Sequence, residues 1–116
     1  MSSLTSVSSN NAPNSGDILN LDPEMNFSLG SRYEHGSGVQ KDLQLAVHHY
    51  RIAADQGDSR AQYNLAFLYL KGAGVEKDSR EAARLLRLVA DRGHAGAQYS
   101  LGIMYERGDG VEQNDQ

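Results

Sequence analysis

The chain of 116 residues contains no cysteine. A disulfide framework and thiolate chemistry are therefore excluded. Positive charge is in deficit: the net charge is −4 and the pI about 5.4. Nucleic-acid phosphates are gripped by a net basic surface, so general nucleic-acid binding is not expected. No apolar run approaches the roughly 20 residues of a membrane span. The start of the chain lacks both the basic n-region and the apolar core of a secretory signal peptide. The expected location is thus cytoplasmic, with specialised secretion as the alternative. Residues 1–21 are rich in Ser and Asn and almost uncharged until Asp17. Such a segment has too little apolar surface to order itself, and it reads as a disordered leader.

What the chain does have is a period. Leu29, Tyr33, Gly36, Gly38, Val39, Lys41, Asp42 and Ala46 each recur 36 positions later, as Leu65, Tyr69, Gly72, Gly74, Val75, Lys77, Asp78 and Ala82. The same shift carries Arg51, Ala54, Asp55, Gly57, Ala61, Gln62 and Tyr63 onto Arg87, Ala90, Asp91, Gly93, Ala97, Gln98 and Tyr99. A third copy opens with Leu101, Tyr105, Gly108, Gly110 and Val111. A fixed period of this size means one supersecondary unit stacked on copies of itself. The spacing divides the chain into repeats over 22–57 and 58–93 and a partial repeat over 94–116.

Each unit reads as a helix hairpin. Asp22 with Pro23 and Glu24 makes a strong helix start: a side-chain oxygen at the N-cap, proline at N1 and acid in the first turn. In the second unit Asp58 opens a helix that runs to about Lys71, with Ala61, Leu65 and Tyr69 along one face. Gly72 ends it, because a C-terminal cap calls for the left-handed conformation. Val75 is the apolar plug of the loop. Asp78 opens the second helix, with Glu81 placed for a capping box. Ala82, Leu85, Leu86, Val89 and Ala90 form its buried stripe. Ala46, His49, Tyr50, Ala53 and Ala54 form the corresponding stripe of the first unit. The Gly-x-Gly follows a helix rather than a strand, so it is not a phosphate loop.

The pattern A-Q-Y-x-L-(G/A)-x-x-Y-x-x-G-x-G-V-x-x-D-x-x-x-A resembles the Sel-1-like repeat, a branch of the tetratricopeptide-like helical repeats. The third copy departs from it at Asn114, with Asp115 one place late. Leu45, Ile52, Glu81 and Leu88 stand where the family usually carries lysine. The resemblance implies an all-α fold, a short right-handed α-solenoid of antiparallel helix hairpins. It also implies a binding role, with a protein or peptide as partner. Paired cysteines mark some secreted members, and hydrolytic, β-lactamase-like activity belongs mostly to that kind. Their absence here argues against an enzyme.

The residues offer little chemistry. The histidines are His35, His48, His49 and His94. His48 and His49 are adjacent on a helix and point about 100° apart, so they do not share a metal as an i, i+4 pair does. Scattered carboxylates have capping or surface roles, and no nucleophile–base spacing is evident. No catalytic residue, cofactor or metal is expected. Binding is read instead from positions that vary between copies and stack in columns. On the first helices these are Ser28, Asn64 and Ser100; Ser31, Phe67 and Ile103; His35, Lys71 and Arg107. In similar families the first helices line the concave side. That face would then offer an apolar centre and a basic edge to a segment with apolar anchors and acidic flanks. Equally, Phe67 and Ile103 are suited to packing between repeats. Arg80, Arg84 and Arg87 form an alternative basic face, with Arg87 and Asp91 an expected i, i+4 pair. Tyr99, Leu101, Ile103, Met104 and Tyr105 are expected to bare an apolar flank on the last helix. That flank is a route to self-association. A secreted bacterial effector or immunity-type protein with one cognate target is the alternative to a housekeeping adaptor.

Overall fold

A computed structural model describes residues 22–111; the leader expected over 1–21 and the last five residues lie outside the described residues. Five helices follow one another: α1 (Pro23–His35), α2 (Leu43–Asp55), α3 (Ser59–Lys71), α4 (Ser79–Ala90) and α5 (Ala95–Arg107). No strand occurs among the described residues. Packing is between consecutive helices, with a lesser contact between α1 and α3. This is the architecture of an all-α repeat solenoid.

The caps set the period physically. Asp22 Oδ1 accepts the Met25 N–H at 2.9 Å, and Asp42 Oδ1 the Leu45 N–H at 3.1 Å. Asp58 Oδ1 accepts from Arg60 and Ala61, and Asp78 Oδ1 from Glu81. The fifth helix departs: His94 Nδ1 accepts the Ala97 N–H at 3.0 Å, an imidazole in place of a carboxylate. The capping box at α4 is only half formed. Glu81 does not reach back to Asp78; both its oxygens are taken by Arg84, at 2.9 and 2.6 Å.

The loop glycines are placed by two demands. Gly72 caps α3 in the left-handed region, at φ 68°, where a side chain is strained. Gly74 sits against the start of α2: a Cβ there would overlap the backbone carbonyl of Leu43. Gly110 repeats that contact one step on, against the Ser79 carbonyl at the start of α4. The second and third Gly-x-Gly loops thus seat directly on the preceding unit.

Packing in the hairpins is matched by size. Tyr50 and Leu86 occupy equivalent positions and are fully buried. Across from Tyr50 stands Gly30, where a Cβ would lie 2.5 Å from Cδ1 and 2.7 Å from Cε1 of the ring. In the second unit Ala66 takes the glycine's place beside the smaller pair member, Leu86. The stripe of α4 is as expected for Ala82, Leu85, Leu86 and Val89, while Ala90 is half-buried and Ala83 is buried as well.

Hydrogen bonds tie one unit to the next at equal intervals. Gln62 Nε2 donates to the Ala54 carbonyl and Gln98 Nε2 to the Ala90 carbonyl, each at 3.1 Å. Each adds a second bond to a helix-end carbonyl that already accepts a backbone N–H, from Gly57 at Ala54 and from Gly93 at Ala90. Arg51 donates to Tyr69 Oη at 2.6 Å and Arg87 to Tyr105 Oη at 2.8 Å. The expected Arg87–Asp91 pair is therefore not made: the guanidinium reaches across to α5 instead of down its own helix. The bare flank of α5 is also smaller than the sequence implies. Leu101 and Met104 are buried against the chain, at 8% and 4% exposure, and Ile103 and Tyr105 are half-buried. Only Tyr99, at 73%, stands fully out.

Candidate functional site: a groove between the first helices

The three columns do not form one uniform surface. Ser28 is exposed, and Ser31 is half-buried with its carbonyl accepting from His35 Nδ1 at 2.8 Å. Asn64 turns inward, its Nδ2 donating to Tyr50 Oη at 3.2 Å. The Tyr50 hydroxyl in turn donates to Glu34 Oε1 at 2.6 Å. Burial pushes the Tyr50 phenol well above its ordinary range, and the Glu34 bond adds to the effect. The step between α1 and α3 is thus occupied by a polar chain of the protein's own groups.

The step between α3 and α5 is different. Here a groove of about 370 Å³ opens, lined by Phe67 and Leu70 from α3, Lys77 from the following loop, and Ser100, Ile103, Met104 and Arg107 from α5, with Asp109 beyond. Four of the column residues, Phe67, Ser100, Ile103 and Arg107, meet in this one concavity. Lys71 does not line it; Lys77 supplies the cation. Phe67 is half-buried and meets Tyr63 edge-on, with centroids 4.9 Å apart. Its ring packs against its own helix and still presents surface to the groove. Leu70, Lys77, Met104 and Asp109 were not legible as groove residues. Lys77 stood out only as a repeat-period residue and Met104 only as part of the apolar flank, and only the approach of two helices brings them together with Leu70.

The arginine face has other commitments. Arg84 is clamped by Glu81 and Arg87 by Tyr105. Arg80 lines a separate recess beside Gly108, Gly110 and Val111. His49 is half-buried, stacks on Tyr33 at 5.8 Å, and bonds through Nδ1 to Asn26 Oδ1 at 3.0 Å. Burial holds its pKa below the ordinary histidine value, and neighbouring His48 lowers it further. No group of His, Asp and Glu suited to a metal occurs among the described residues. No helix among them is long and apolar enough to cross a membrane.

Comparison with known proteins agrees with this architecture. The Sel1 repeat model matches residues 23–58, 59–94 and 95–116. Among curated proteins none matches significantly. Among solved structures, a Sel1 repeat protein from Oxalobacter formigenes is 34% identical with a TM-score of 0.77; the match covers 87% of this chain and 41% of that one. The protein c5321, described as a protective antigen present in uropathogenic Escherichia coli strains and displaying an SLR fold, is 39% identical, also with a TM-score of 0.77. That match covers 79% of this chain and 20% of c5321. The chain therefore spans less than half the length of either. Repeats of this kind generally serve as protein-interaction modules. On three adjacent repeat matches and these two structural neighbours, the chain belongs to the Sel1 repeat family.

Proposed function

We propose that the chain is a non-enzymatic module that scaffolds or regulates a partner protein through the concave side of its first helices. The observation that carries this reading is the groove between α3 and α5, where column residues from two repeats converge on one apolar, cation-rimmed hollow. Helical repeats use such surfaces to hold a segment of a partner by apolar anchors. The test is capture by the immobilised chain, followed by rebinding of the purified, identified partner. Phe67→Ala with Ile103→Ala is expected to abolish rebinding while the helical circular-dichroism signal is kept. Charge reversal at Arg80, Arg84 and Arg87 is expected to leave it intact. Loss confined to the arginine variant moves the site to the second helices.

A second reading is a secreted effector or immunity-type protein that binds one cognate target. What supports it is the likeness to c5321, described as a protective antigen. The first reading places the module in the cytoplasm and the second exports it, so a secretion assay separates them.

A further inference from the structure

We propose that the groove between α3 and α5 selects a short peptide segment carrying one bulky aliphatic side chain next to a single carboxylate. This rests on the reading above and specifies what the partner presents. Three features of the groove point to it. The first is its floor. Phe67 and Leu70 on α3 face Ile103 and Met104 on α5, so the apolar surface comes from both walls of one hollow. A volume of about 370 Å³ lies near the lower end of ligand sites. It is suited to one anchoring side chain rather than to a long extended stretch.

The second feature is the charge at the rim. Lys77 and Arg107 both line the groove and are exposed, and neither makes an ion pair among the described residues. On a chain of net charge −4 this is a local basic spot against an acidic background. Two unpaired cations beside an apolar floor complement a carboxylate beside an apolar side chain. Asp109 lines the same hollow and sets the limit. Its carboxylate repels a run of acids, so the complement is one negative charge rather than several.

The third feature is the contrast with the preceding step. There Glu34 and Asn64 hold the equivalents of Leu70 and Ser100, and both are bonded to Tyr50. The cations have counterparts at that step in Lys41 and Lys71, but the apolar floor is confined to the α3–α5 step. Recognition is local, and a bound segment is held at one point along the stack.

The experiment uses fluorescence anisotropy with labelled peptides in a Gly-Ser frame, titrated with the full chain at low salt. One carries adjacent Glu and Leu, a second Lys and Leu, and a third Glu and Ser. The Glu-Leu peptide is expected to bind about tenfold tighter than the Lys-Leu peptide, a gap that narrows as salt is raised. Lys77→Gln with Arg107→Gln removes that gap, and Ile103→Ser weakens every Leu peptide, both with the circular-dichroism spectrum unchanged. Asp109→Asn tightens the Glu-Leu peptide by about threefold, since one repulsion is removed. Equal binding of the Glu-Leu and Lys-Leu peptides overturns the charge selection. If Ile103→Ser still weakens binding in that case, the concave surface stands and only its selectivity falls. Absence of binding by every peptide at millimolar concentration overturns the proposal, with partner capture still deciding the broader reading. A second copy of the chain filling the groove is a third outcome that overturns it. Sedimentation would then show self-association lost in Ile103→Ser.

Discussion

Tyr50 has no exposed surface, yet its hydroxyl is fully engaged between Glu34 and Asn64. Tyr50→Phe keeps the ring and removes both bonds. The half-buried Glu34 carboxylate then loses its donor, so unfolding free energy should fall by about 1–2 kcal/mol in a denaturant titration. The ring itself depends on Gly30. Gly30→Ala forces a Cβ into Tyr50 and should cost about 1–3 kcal/mol. Adding Tyr50→Leu to Gly30→Ala should restore part of that loss, because the second unit already pairs Ala66 with Leu86. A double variant no more stable than Gly30→Ala alone refutes the size-matching account. His49 gives a pH dependence. Its folded pKa lies below the unfolded value, so the folded state favours the neutral ring. Its stabilisation is complete above the unfolded value of about 6.5 and is lost as pH falls through the folded pKa. Thermal melts at pH 7.5 and 5.5 should differ more for the natural chain than for His49→Gln. The sequence marked His49 and Tyr50 as stripe residues, and both lie there. Their hydrogen-bond partners were not legible, since Asn26 and Glu34 belong to the other helix of the hairpin.

At the level of elements, the caps and turns were the most legible part of the fold. They depend on residues within a few positions of one another, and Asp and Gly have few other reasons to recur in register. Gly72→Ala should destabilise by about 1 kcal/mol, while Ala73→Ser should be nearly silent in thermal melting. Gly74→Ala should be worse than Gly72→Ala, because it adds a clash with the Leu43 carbonyl to the strain of φ 75°. Equal effects at 72 and 73 would refute the cap. Long side chains were less legible, because several partners lie within their reach. Glu81 chose Arg84 over the N-cap, and Arg87 chose Tyr105 over Asp91. The last helix makes the same point about burial. Leu101→Ala should cost about 2–4 kcal/mol and Tyr99→Ser almost nothing, since one is packed and the other stands in solvent. Similar losses for both would mean that α5 is docked differently.

For the whole molecule, the period alone defined a stack of hairpins, and the all-α solenoid follows from it. The groove did not follow. A column lists what lies above what, whereas a hollow depends on which side chains are already spent, as Asn64 is on Tyr50. In such a stack each helix draws support from its immediate neighbours. Amide hydrogen exchange should therefore be slowest in α2, α3 and α4, which are packed on both sides, and faster in α1 and α5. Uniform protection across all five helices would count against this nearest-neighbour picture. The seating of Gly74 on Leu43 and of Gly110 on Ser79 has an evolutionary side as well. The same joint recurs at each step, so the gene can gain or lose a 36-residue segment in frame without designing a new contact. Duplicating residues 58–93 within the chain should yield a longer protein that melts at a higher temperature. The unit of inheritance and the unit of architecture coincide, and recombination can lengthen the molecule at any joint.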